Sequence, residues 1–79
     1  MKPNTNRKLN NKIDFELCER FKTIRTDRGL TQPEFAEELG TNRVLVNAIE
    51  NYRFNPGLEL LRVIRAKYHY SYDYIIDGK

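Results

Sequence analysis

Residues 31–51 read TQPEFAEELGTNRVLVNAIEN. Thr31 followed three residues later by Glu34 is a reciprocal helix start: hydroxyl onto one backbone N–H, carboxylate back onto another. Pro33 falls inside the first turn, where a missing N–H breaks no intrahelical bond. Phe35, Ala36 and Leu39 then share one face, and Gly40 ends the run. Asn42 is a good cap for a second helix. Val46 and Ile49 are its core side, with Leu45 adjacent to them. The pattern predicts a helix over 31–39 and another over 42–51, joined by Gly40-Thr41-Asn42. Glycine suits this turn because the backbone there is expected to take a positive φ, and the small Ala36 lets the two axes approach.

Two short helices joined so tightly form a helix-turn-helix, and the flanking sequence supplies helices to pack around it. Upstream, Leu17, Phe21 and Ile24, with Cys18 beside them, follow the spacing of an amphipathic helix between Phe15 and Arg28. Asp14 is its cap and Gly29 its left-handed close. Downstream, YRFNPG (residues 52–57) reads as a loop on its Asn-Pro and Gly signals. Leu58, Leu61 and Ile64 open a fourth helix ending near Lys67 or Tyr68. Tyr68, Tyr70, Tyr72 and Tyr74 alternate with the period of a strand. Against that, Ser71 is a good cap, and Tyr72, Ile75 and Ile76 fit one helical face. An isolated strand has no partner in a helical chain, so a short fifth helix is the favoured reading.

The chain has 79 residues and a formal net charge of +3. One small domain with a modest core is expected. Residues 1–12 are polar and carry Lys2, Arg7, Lys8 and Lys12 with no acid; the remaining residues carry ten basic and eleven acidic side chains. A flexible basic arm (1–12) and a folded unit (13–79) with no basic excess follow. The arm suits a phosphate track or a minor groove, or is simply solvated. One cysteine, Cys18, excludes an internal disulfide, and with His69 it falls short of the usual zinc ligand set. No metal, cofactor or membrane span is expected, and the reduced cysteine fits a cytoplasmic setting. Nothing pairs a nucleophile with a base, so an enzyme is not expected.

The string R-x-x-x-G-L-T-Q-x-E-F-A-E-E-L-G-T-N-R-x-x-V-x-x-I-E-N, from Arg25 to Asn51, continues as N-P-x-L-E-L-L from Asn55 to Leu61. With it, residues 20–76 resemble the Cro/repressor (Xre) family of phage-repressor-type helix-turn-helix domains. The resemblance implies an all-α, five-helix domain with 42–51 as the recognition helix. The chain departs from the family at Asn42, where Ser or Thr is usual though Asn caps as well, at Leu45, where a small polar residue is usual, at Tyr52, where glycine is usual, and at Gly57, where Ser or Thr is usual. The last two are expected to alter the loop and the start of the fourth helix. Leu45 is expected either toward DNA or toward the core.

The resemblance gives Gln32 a phosphate contact and a bracing role against the recognition helix. It places Asn51 and Arg53 at backbone phosphates and makes Arg25 and Glu50 a buried structural ion pair. The residue chemistry adds its own candidates. A recognition helix enters the major groove N-terminus first, which puts Asn42, Arg43 and Val44 nearest the bases. Arg43 is the natural bidentate partner of guanine, or else takes a phosphate or is simply solvated, and Val44 suits a thymine methyl. Asn47 is a candidate for an adenine edge or a phosphate, and Ala48 permits close approach. The expected function is a transcriptional regulator, a repressor by family analogy, bound to double-stranded DNA as a two-fold homodimer. The tyrosine-rich tail is a candidate for dimer surface or core. The competing reading is a protein-interaction module, antitoxin-like or polymerase-binding, that docks a protein partner on the face carrying Val44 and Leu45.

Overall fold

The computed structural model describes residues 12–79. Four α-helices, α1 (Phe15–Asp27), α2 (Gln32–Leu39), α3 (Arg43–Glu50) and α4 (Leu58–Tyr68), are followed by a π-helical turn, Asp73–Asp77. No strand occurs among the described residues, so the fold is all-helical with five helical elements. The starts of the first three are those the sequence announces. The Asp14 carboxylate accepts from the Leu17 N–H at 3.0 Å. Thr31 Oγ1 accepts from the Glu34 N–H while the Glu34 carboxylate accepts from the Thr31 N–H, which completes the capping box. Asn42 Oδ1 accepts from the Leu45 N–H at 2.9 Å. Helix α4 begins at Gly57 without a side-chain cap.

The helix ends share one device. At Gly29 (φ 71°) and Gly40 (φ 74°) the chain turns left-handed. The N–H of each glycine returns to the carbonyl three residues back, and the next N–H to the carbonyl five residues back. This is the Schellman closure, which satisfies orphaned carbonyls of the last turn. Helix α3 closes in the same way, but the left-handed residue is Tyr52 (φ 63°). Its N–H bonds Ile49 O, and the Arg53 N–H bonds Ala48 O. The loop geometry is therefore kept where glycine is replaced, with the Tyr52 ring packed on Phe15 at 5.3 Å between centroids.

The core lies where the helices meet. Phe21 and Phe35 are both fully buried, with ring centroids 5.0 Å apart. Ile24, Val46, Ile49 and Ile64 are likewise fully covered. Burying each such side chain stabilises the fold by roughly 1.5–3 kcal/mol. Helix α4 departs from expectation at its start. Leu58 remains 56% exposed, and Leu60, with Leu61 and Ile64, takes the core. Leu58 is the first residue of its helix, at the rim of the open groove between α3 and α4. The tail is helical, not extended: Ser71 Oγ accepts from the Tyr74 N–H and Ile75 is buried. It winds as a π turn, while Ile76 points out. All four tail tyrosines are half-buried. Tyr68 lies beneath Arg28, Tyr72 beneath Arg65, and Tyr70 stacks on Tyr74.

Candidate nucleic-acid interface

The position of α3 is set from behind by one ion pair. Arg25 on α1 donates through Nε to Glu50 Oε2 at 2.6 Å and through Nη2 to Glu50 Oε1 at 3.0 Å. Its Nη1 donates to the Leu30 carbonyl at 2.8 Å. Glu50 is 8% exposed. A fork-to-fork guanidinium–carboxylate contact fixes orientation as well as distance. It thus ties the end of α3 to α1 and to the turn before α2.

Polar side chains lead outward from that pair. Gln32 Nε2 donates to Glu50 Oε1 at 3.0 Å. Asn47 Nδ2 donates to Gln32 Oε1 at 3.2 Å. Asn51 Nδ2 donates to the Asn47 carbonyl at 2.9 Å and to Asn47 Oδ1 at 3.1 Å. Gln32 therefore lies against α3 and links it to α2, and one of its amide hydrogens is left without a partner among the described residues. The exposed amides of Asn47 and Asn51 are the outer end of this series.

The outward side of α3 and the loop after it carry the remaining candidates. Arg43 is exposed, with no ion pair among the described residues. Val44 is 70% exposed. Val44, Asn47, Ala48, Asn51 and Arg53 line one shallow depression together with Phe54. Asn42 sits at the head of the helix as its cap. Leu45 is placed elsewhere: it is half-buried, packs against the core and lines the separate groove facing α4 with Leu58 and Val63. Of the two placements open to Leu45, toward DNA or toward the core, the structure has the one toward the core. One residue turn separates Leu45 from Val44 by about 100° around an α-helix, enough to leave the outward face.

Sequence reading missed Phe54, which is 57% exposed beside Arg53. Its only signal was a bulky aromatic in a loop. It also missed what the Asn-Pro step does. Asn55 Oδ1 accepts from the Asp14 N–H at 2.7 Å, and Asn55 Nδ2 donates to the Lys12 carbonyl at 2.8 Å. Beneath them the Cys18 thiol donates to the Phe54 carbonyl at 3.4 Å. Burial raises the Cys18 pKa above its usual value, with the neighbouring Asp14 and Glu19 adding to the shift, so the group stays a thiol donor. The loop after α3 is thereby tied to the segment leading into α1. Lys2, Arg7 and Lys8 of the predicted arm lie outside the described residues.

Charge on this surface differs from charge on the whole. From Thr41 to Gly57 the charged residues are Arg43, Glu50 and Arg53. Glu50 is buried and paired, so the exposed charges of the segment are both positive. Among the described residues no group of three or more His, Cys, Asp or Glu is arranged to hold a metal ion. No described helix is long and apolar enough to cross a membrane.

A capped helix pair closed by a left-handed Gly40, with a cationic and amide-bearing second helix turned outward, defines a helix-turn-helix DNA-binding domain. The helix-turn-helix family model matches residues 21–75, and the chain belongs to this Cro/repressor-type (Xre) family. That makes it a DNA-binding regulator in general terms, in a family that is typically non-enzymatic. A search of curated proteins finds no match.

Proposed function

We propose that the chain is a sequence-specific transcriptional repressor of the cytoplasm that inserts α3 into the major groove of double-stranded DNA as a two-fold homodimer. The observation that carries this reading is the outward side of α3. Arg43 and Arg53 are its exposed charges, Asn47 and Asn51 supply amides, and the one acid between Thr41 and Gly57, Glu50, is buried against Arg25. Such a surface attracts phosphates and offers directional donors to base edges.

Arg43 takes guanine O6 and N7, and Val44 takes a thymine methyl. Asn47 takes an adenine edge, and Ala48 leaves room for the approach. Asn51, Arg53 and the remaining Gln32 hydrogen take phosphates, while Asn42 holds the helix start at the groove. A single recognition helix spans few base pairs. Two copies spaced about one turn of DNA apart give useful selectivity, and occupancy of a promoter then represses.

The test is selection of bound duplexes from a random pool, followed by titration of wild type and Arg43→Ala at two salt concentrations. A two-fold symmetric site is expected, with Arg43→Ala relaxing one position by roughly 1–3 kcal/mol. Weak binding that enriches no sequence and disappears with salt would mean phosphate contact alone. The face would then belong to a protein partner.

A further inference from the structure

A single exposed apolar side chain is ordinary, but two in one depression ask for a partner. Among the described residues five large apolar side chains stand exposed. Two of them, Val44 and Phe54, line the same depression on the outward side of α3. The Phe54 ring is 57% exposed, although its main chain is held on both sides. Before it, the Arg53 N–H closes α3 onto Ala48 O. At Phe54 itself the carbonyl accepts from the Cys18 thiol. After it, the Asn55 side chain bonds the Asp14 N–H and the Lys12 carbonyl. The buried Pro56 that follows restricts the backbone further. A fixed loop thus presents the ring to solvent, and contact with a ligand costs it little additional order.

The neighbours of the ring say what it meets. The depression also holds the amides of Asn47 and Asn51 and the cation Arg53, and no acid. A helix with its side chains is roughly 10–12 Å across, about the width of the major groove. With α3 in that groove, the loop leaving its C-terminal end passes over a bounding strand. Along a strand, charged phosphates alternate with deoxyriboses, whose surface is largely C–H. Arg53 takes a phosphate in the function proposed above. The adjoining apolar side chain matches the sugar beside that phosphate.

We infer that Phe54 is a DNA-contacting residue that packs its ring on the deoxyribose next to the phosphate held by Arg53. The contact adds affinity that depends on neither salt nor base sequence. Phosphate contacts weaken as salt rises because they work by counterion release, whereas burial of C–H surface does not. Phe54 therefore lets the complex keep affinity where Arg43 and Arg53 lose theirs. This contact rests on the DNA reading by α3 proposed above.

The test titrates the full chain against its selected two-fold duplex and against a duplex bearing one half-site, over a series of salt concentrations. On the half-site, Phe54→Ala is expected to weaken binding by about 5- to 20-fold at every salt concentration, with the salt slope unchanged. Phe54→Leu is expected to keep most of the affinity. Arg53→Ala is expected instead to lower the salt slope by about one. Duplexes altered one base pair at a time, including thymine replaced by deoxyuridine, should show the same factor between wild type and Phe54→Ala. Both Phe54 variants should melt with wild type, since the ring is exposed and the bond from Cys18 goes to the backbone.

Unchanged affinity overturns the contact. So does a changed salt slope, which would mean that Arg53 had been displaced. An effect that vanishes with one deoxyuridine assigns the ring to a thymine methyl, and a loss confined to the two-fold duplex assigns it to a second copy of the chain; either overturns the sugar contact. In all of these the wild type still selects its site, so DNA reading stands. A wild type that enriches no sequence removes that reading, and this contact with it.

Discussion

Arg25 and Arg43 carry the same charge and do opposite work. Arg25 spends all three guanidinium nitrogens inside the protein, on Glu50 and the Leu30 carbonyl. Arg43 is exposed. Removing Arg25 strands a buried carboxylate, at a cost of about 3–5 kcal/mol. Removing an exposed arginine usually changes stability by no more than about 0.5 kcal/mol. Thermal denaturation of Arg25→Ala and Arg43→Ala should therefore show a large fall for the first and almost none for the second; equal midpoints would contradict the structural role of the ion pair. At this scale the sequence was partly legible. Gln32, Asn47 and Asn51 could be named as polar residues of one region. Their order as a directed series could not, because it depends on a carboxylate whose position is fixed only by the packing of α1 against α3. Leu45 was left open and Phe54 missed for a related reason. Whether an apolar side chain beside a helix start turns in or out depends on the neighbouring element.

Helix starts and most helix ends were plain in the sequence because they use local chemistry. Asp14, Thr31 with Glu34, and Asn42 bond within three residues of themselves. Gly29 and Gly40 supply the left-handed close without a Cβ clash. The close of α3 was not legible from residue type, since Tyr52 is a poor choice for φ 63°. A non-glycine residue in that region costs about 1–2 kcal/mol, here offset by the ring's contact with Phe15. The comparison of Tyr52→Ala with Tyr52→Gly separates the two effects. Alanine loses the ring and keeps the strain, whereas glycine loses the ring and relieves the strain. Tyr52→Gly is expected to be the more stable of the two by about 1 kcal/mol in denaturant unfolding, the reverse of the usual order within helices. The winding of the tail also escaped the sequence. Tyrosine alternation and a helical apolar face are both present there. The burial of Ile75 decides between them, and it depends on α1 lying alongside.

For the molecule as a whole, net charge conceals how the charges are distributed. The body beyond residue 12 has no basic excess, yet the exposed charges from Thr41 to Gly57 are all positive. Three helices converge at Tyr68, which stacks on Phe35 of α2, lies under Arg28 after α1 and donates its hydroxyl to Glu38. Burial raises its pKa above the ordinary 10.0, the hydrogen bond to Glu38 raises it further, and Arg28 pulls the other way. A raised pKa in the folded state means that the protonated phenol favours folding. That contribution is complete below about pH 10 and is lost as pH climbs through the folded value. Between about pH 10 and 12, wild-type melting temperature should fall more steeply than that of Tyr68→Phe, which has no phenol to ionise; parallel curves would rule out this linkage. The Asn55 tie has a consequence in time. It joins Asp14 and Lys12 to the far end of the helix pair across more than forty residues. The first turn of α1 and the loop bearing Arg53 therefore open as one cooperative unit. A fluctuation that frays the beginning of the fold also loosens the loop that carries Arg53; if Arg53 meets phosphates as proposed, a bound duplex is expected to slow amide exchange at Asp14.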